Sequence, residues 1–168
     1  LCTCLSEEIK VSLDSYLVSG AKIYGEDVQD IRIVNGEIRE IGTDLAPGGQ
    51  VIVQAEGLIC LPSFVDLHTH LREPGREDAE TIASGSRAAT LGGFSAVFAM
   101  ANTSPVADTA GVVEQVWRIG REVGLVEVIP IGAVSVGLRG ESLAELGAMA
   151  ASAAGVSVFS DDGHCVFD

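Results

Sequence analysis

The sequence predicts an α/β protein in which a short β unit precedes a series of parallel βα units. Three observations carry this. From Leu58 onward, strand-like and helix-like stretches alternate along the chain, which argues for parallel strands joined by crossover helices. Before Leu58, apolar and polar residues alternate with a period of two around Asn35-Gly36, a dipeptide suited to a tight hairpin turn. Third, 47% of the 168 residues are apolar and 20% charged, the balance of a globular chain with a core. Such alternation closes either as a doubly wound open sheet or as a (β/α)8 barrel.

Each element follows in order. Residues 1 to 15 show no clear period and read as a poorly ordered lead-in. YLVSGAKIY, DIRIVNGEIREIG and QVIVQAEG, between Tyr16 and Gly57, read as strands of a small antiparallel β unit. LICLPSFVDLH then supplies a buried strand and precedes a helix near Asp78 to Leu91. FSAVFAM and a helix near Thr109 to Val123 follow, then VEVIPIGAV and a helix near Ser142 to Ala153. GVSVFS closes the series as a fourth strand. There is no strong internal repeat. Since a complete (β/α)8 barrel takes roughly 250 residues, residues 58 to 168 would supply less than half of one.

Composition narrows the partners. A formal charge of -14 argues against nucleic acid, whose binding depends on Lys and Arg neutralising phosphates, and favours a small molecule or a protein. No apolar run approaches the roughly 18 residues of a membrane span. LCTCLSEEIK has neither a basic segment nor a long apolar one, so no signal peptide is read and the cytoplasm is the expected compartment. Cys2 and Cys4 form a C-x-C pair without the further ligands of a zinc knuckle, while Cys60 and Cys165 stand singly in apolar surroundings. All four read as reduced and partly buried thiols.

Three stretches carry chemistry. His68 and His70 lie two apart at the end of a predicted strand, so their imidazoles can point to one side and meet one ion; a half-exposed strand without metal is the competing reading. Asp161 and Asp162 end the fourth predicted strand and can bind a cation, or simply form a turn or helix cap. Asn102 offers an amide donor and acceptor after the second strand, and Arg72 a planar fork for a carboxylate. Their competing roles are loop capping and a surface ion pair with Glu73.

FVDLHTHLREPG, ETIASGSRAATLGGF, MANTSPV and FSDDG, in this order, closely resemble the type I dihydroorotases of the amidohydrolase superfamily, from about Tyr16 onward. The resemblance implies a distorted (β/α)8 barrel, of which about the first four strands are present, preceded by a portion of a small β-sandwich. It implies one or two zinc ions held by His68, His70 and Asp162, with Asp161 as the alternative to Asp162. Arg72 and Asn102 match residues that hold the substrate carboxylate, with His70 beside that pocket. Two positions depart from the family pattern: P-G-F-V-D reads Pro62-Ser63-Phe64-Val65-Asp66, and M-P-N reads Met100-Ala101-Asn102. Neither removes a ligand.

The implied reaction is reversible hydrolysis of L-dihydroorotate to N-carbamoyl-L-aspartate in pyrimidine biosynthesis. The resemblance places the general-base Asp and the remaining metal-binding His residues beyond the fourth strand, and gives His164 no ligand role. On that expectation these 168 residues are inactive alone. Hydantoinases, dihydropyrimidinases and allantoinases are the neighbouring alternatives, but they carry a Lys after the fourth strand where this chain has Phe159-Ser160-Asp161-Asp162. A homo-oligomer, or a non-catalytic partner of aspartate transcarbamoylase, is a further expectation.

Overall fold

A computed structural model describes residues 15–166. The expected lead-in lies outside the described residues except for Ser15, as do Cys2 and Cys4. The chain divides into two compact units, Leu1–Pro62 and Ser63–Asp168.

The first unit is one five-stranded sheet of β1 (Ser15–Ile23), β2 (Val28–Val34), β3 (Glu37–Gly42), β4 (Val51–Gln54) and β5 (Ile59–Cys60). The β2–β3 hairpin turns at Asn35 and Gly36, both with positive φ, as the Asn-Gly signal predicts. The sheet is mixed rather than antiparallel. β1 pairs antiparallel with β2, but β4 and β5 both run parallel to β1 along its other edge. The register of β1 on β2 slips between Val18 and Ala21, a bulge. There the Asp30 carboxylate accepts hydrogen bonds from Gly20 N–H at 2.8 Å, Leu45 N–H at 2.9 Å and Ser19 Oγ at 3.0 Å. Those bonds, the backbone ones foremost, outweigh burial and hold the Asp30 carboxyl below its ordinary value. The apolar core is thin, built from Leu17, Ala21, Ile31 and Ala55.

The second unit is a parallel three-stranded sheet, β6 (Phe64–Thr69), β7 (Phe94–Ala99) and β8 (Glu127–Pro130), in the order β6-β7-β8. Helices α1 (Ile82–Leu91) and α2 (Ala110–Val123) make the crossovers, and α3 (Leu146–Ala151) follows β8. α2 matches its predicted span because its buried face recurs at Val113, Val116 and Gly120, and Gly124 ends it in the left-handed conformation. At Gly120 the helix lies so close to the sheet that a Cβ would fall 2.5 Å from Val128 Cβ. Leu71, Ile82, Val97, Val116 and Val128 share one core cluster; Ala101, Val113, Ala133, Met149 and Val156 belong to another.

Further expectations change in this unit. α1 starts at Ile82, not near Asp78, because Thr81 and Ser84 form a reciprocal cap and Glu73 accepts the Ile82 N–H at 2.8 Å. α3 is shorter than predicted because the segment before it pairs back: Ala144 N–H bonds Val134 O, and Ser135 bridges Leu143. The fourth strand is reduced to a single bridge between Phe159 and Gly132, since Pro130 lacks a donor and ends β8 two residues earlier. β6 is an edge strand with Phe64, Val65 and Leu67 exposed, the last to 67%, where a buried strand was expected. Cys165 is likewise exposed rather than buried, while Cys60 is intermediate.

Candidate metal centre

The chemistry-bearing residues collect where the chain leaves the C-terminal ends of the parallel strands, the edge at which α/β sheets build sites. β6 delivers the first two. Its register on β7 slips between Asp66 and Thr69, so one extra residue is accommodated around Leu67-His68. Asp66 Oδ1 accepts the His68 N–H at 3.0 Å, and Thr69 Oγ1 donates to Phe98 O at 2.8 Å, which ties the bulge down on both sides. His68 and His70, two residues apart beside this bulge, come together as their spacing suggested, with ring centroids 5.2 Å apart and edge to face.

Asp162 joins them from the far end of the unit. Its Oδ1 lies 3.2 Å from His68 Nε2 and its Oδ2 3.4 Å from His70 Nε2. One donor atom from each of the three residues falls within 4.8 Å of the other two. Four ligands held at about 2.0–2.1 Å around a tetrahedral ion sit roughly 3.3–3.5 Å from one another. The observed separations fall in or beside that interval, and two imidazoles with a carboxylate are a donor set that suits zinc. By this test the residues present fit such an ion.

Neighbouring groups orient these side chains. Asn102, just past β7, places Oδ1 3.0 Å from His70 Nδ1. With that oxygen accepting, Nδ1 carries the proton and the Nε2 lone pair is left facing Asp162. The Asn102 amide nitrogen remains available as a donor. Arg72 sits in the loop after β6 with φ 60, a left-handed conformation that a non-glycine residue adopts at a cost. The competing role, an ion pair with Glu73, does not form; the Glu73 carboxylate instead caps α1. Among the described residues the Arg72 guanidinium has no ion-pair partner. The loops carrying Arg72 and Asn102 are fastened together at Gly75. Ser104 N–H bonds Pro74 O at 2.9 Å, and a Cβ on Gly75, whose φ is +98, would lie 2.0 Å from the Ser104 carbonyl oxygen.

Asp161 points elsewhere. Its carboxylate accepts from Val134 N–H at 2.8 Å, Ser135 N–H at 3.0 Å and Ser135 Oγ at 2.5 Å, and the residue is 4% exposed. Burial works to raise its pKa, but the bonds from Ser135 and Val134 and the nearby His164 outweigh that and hold it below the ordinary carboxylate value. His164 is not among the three clustered donors. Sequence reasoning missed Asp66, Ser135 and this use of Asp161. Asp66 lies within the HxH stretch and was within reach; Ser135 had no local signal. Hollows of about 410 Å³, lined by Ser95, Trp117, Arg121 and Glu127 at the opposite ends of β7 and β8, and of about 450 Å³ beside Tyr16 and Asn35 both exceed the one of about 350 Å³ that Asp66 and His70 line, so cavity size does not locate the chemistry.

Comparison with known proteins first defines the class. The fold resembles L-hydantoinase (dihydropyrimidinase) from Arthrobacter aurescens, with a TM-score of 0.58 at 18% identity over 73% of this chain and 29% of that one. It also resembles a D-hydantoinase, with a TM-score of 0.50 at 20% identity over 71% of this chain and 26% of that one. At such identities the likeness is one of fold, a mixed α/β architecture shared with hydantoinases.

The family is then specific: a model of dihydro-orotase-like proteins matches residues 57–167, and the chain belongs to that family. It is 62% identical over 152 residues to the dihydroorotase of Streptomyces coelicolor and 56% identical over 156 residues to that of Mycobacterium tuberculosis. The matches cover 90% and 92% of this chain but 36% of each relative, so the chain spans about a third of their length. Among the described residues no helix is long and apolar enough to cross a membrane.

Proposed function

We propose that this chain builds part of the zinc centre of a dihydroorotase, which interconverts L-dihydroorotate and N-carbamoyl-L-aspartate in pyrimidine biosynthesis. The observation that carries the reading is the convergence of His68 Nε2, His70 Nε2 and the Asp162 carboxylate at ligand spacing. When bound, zinc supplies Lewis acidity that brings deprotonation of water within reach of neutral pH and polarises a carbonyl. His68, His70 and Asp162 would hold the ion. Asn102 keeps the proton of His70 on Nδ1, and its amide nitrogen donates to the substrate carboxylate. Arg72 grips that carboxylate with its planar fork and so orients the ring. In hydrolysis water adds to the ring carbonyl carbon, the C–N bond breaks, and a proton passes to the departing nitrogen. No general base is assigned among these residues.

The parallel sheet β6-β7-β8 and the bridge at Phe159 are read as the start of a (β/α)8 barrel, and the mixed sheet as a portion of a β-sandwich, with residues 16–57 and 58–168 as the domain bounds. A soluble cytoplasmic protein, alone, self-associated or with aspartate transcarbamoylase, accords with this reading. Hydantoinase-type substrates are the competing chemistry. The test is metal content together with parallel turnover of dihydroorotate, hydantoin and allantoin by the protein encoded by the whole reading frame. Zinc with turnover of dihydroorotate is expected; zinc with turnover of hydantoin alone would overturn the substrate, and absence of bound metal would overturn the site.

A further inference from the structure

We propose that Asp161 is a positioning residue: its buried carboxylate clamps the loop after β8 and thereby aims the neighbouring Asp162 at His68 and His70. The inference rests on reading those three residues as a metal centre. It begins from a deficit. Asp162 must be held accurately to serve as a ligand, yet the segment that carries it is no strand and touches the sheet through one bridge, Phe159 with Gly132. Hydrogen bonds at that bridge, Gly132 N–H to Val158 O at 3.1 Å and Ser160 N–H to Gly132 O at 2.9 Å, stop one residue short of Asp161.

Asp161 supplies what the missing ladder does not. Neighbouring side chains of an extended segment project to opposite sides, so an inward Asp161 and an outward Asp162 are one arrangement. Both oxygens of Asp161 are engaged: Oδ1 receives the Val134 and Ser135 N–H groups and Oδ2 receives the Ser135 hydroxyl. Ser135 is 1% exposed, and its Oγ in turn accepts the Gly140 N–H at 2.7 Å, closing the 3-10 turn Val136–Leu138. A carboxylate so occupied has little left to offer an ion. Its bonds instead fix the backbone next to Asp162 against a loop that is itself paired to residues 142–144. Outer groups that orient ligands in this way are worth about 10- to 100-fold in metal affinity.

The experiment is Co²⁺ titration of the whole chain by calorimetry and visible absorption, comparing the native protein with Asp161→Ala, Asp161→Asn and Ser135→Ala, each checked by thermal melting. Asp161→Ala is expected to weaken Co²⁺ binding about 10- to 100-fold and to alter the d–d bands. Asp161→Asn should recover most of the affinity, because its carbonyl oxygen still accepts both backbone N–H groups, and Ser135→Ala should fall between. A folded Asp161→Ala protein that binds Co²⁺ as the native one does, with only a lower melting temperature, would overturn the inference. Should Asp161→Ala not fold, unchanged affinity in both other variants would overturn it equally. If the native chain binds no Co²⁺ at all, the metal-centre reading itself fails, a result separable from the others.

Discussion

In the first unit, Asp30 is 8% exposed and gathers two backbone N–H groups and a serine hydroxyl across a β-bulge; in the second, Asp161 is 4% exposed and gathers the same kinds of donor across a loop. Each carboxylate substitutes for ladder bonds at a place where regular pairing stops. The surroundings differ. Asp30 fastens a mixed sheet with a thin core and exposed apolar residues such as Ile38, Ile52 and Ile59. Asp161 fastens a segment whose next residue reaches two histidines, and it does so above packed helices and a parallel sheet. One device thus serves stability alone in one unit and the placing of a candidate ligand in the other.

The largest expected effect belongs to the packed unit. Gly120→Val places three carbon atoms where even one would overlap Val128, so a loss of about 3 kcal/mol or more is expected, read by thermal or denaturant unfolding. Amide exchange should show protection lost from β6–β8 while β1–β3 keep theirs. Equal loss in both units would break the division between them.

Next comes the centre itself. Asp162→Ala should reduce Zn²⁺ affinity roughly 30- to 100-fold or more, about 2 to 3 kcal/mol, since it removes a candidate ligand and not merely its support. Titration calorimetry checks it against Asp161→Ala. An effect smaller than that of Asp161→Ala would reverse the roles given to the two residues.

These neighbouring carboxylates mark where sequence reading stops. The β2–β3 turn and the span of α2 were legible because their causes are local: Asn35-Gly36 in one, a 3.6-residue apolar period ended by Gly124 in the other. The chemistry of the HxH and DD stretches was legible as types of ligand. The family resemblance put Asp162 ahead of Asp161 beside the histidines, but the residues alone left the two open, because what turns Asp161 away lies with Val134 and Ser135, 27 and 26 residues from it. The shortened α3 and the reduced fourth strand failed for the same reason: residues 142–144 pair with the loop after β8, and Pro130 breaks the ladder that the apolar period suggested. The mixed direction of the first sheet depends on which edge of β1 receives β4, and alternation along a single strand says nothing of that.

Asp30→Ala carries the comparison to the first unit. Removing the acceptor leaves the Gly20 and Leu45 N–H groups without it, and about 2 kcal/mol should be lost. The pH dependence has a definite sign. Because the folded carboxyl titrates below its ordinary value of 3.8, the native fold binds that proton less readily than the unfolded chain does. The stabilisation is whole above the unfolded value and is lost as pH falls through about 4 toward the lower folded value. Unfolding curves at pH 7 and pH 3 should therefore differ less for Asp30→Ala than for the native chain, and an equal difference would remove the assigned role.

The smallest effect expected is at the start of α1. Thr81 Oγ1 accepts the Ser84 N–H at 3.0 Å and Ser84 Oγ accepts the Thr81 N–H at 3.0 Å, so Thr81→Ala removes one half of a reciprocal cap. A loss of about 1 kcal/mol is typical of such a change. Here Glu73 also accepts the Ile82 N–H, so one of the free donors at this helix end keeps its partner, and the loss should fall at or below that figure. Glu73 follows Arg72 directly, so the cap ties the loop carrying Arg72 to the helix. Double replacement of Thr81 and Glu73 should therefore cost more than the sum of the single losses if the two acceptors support one helix end, and strict additivity in a double-mutant cycle would show that they act independently.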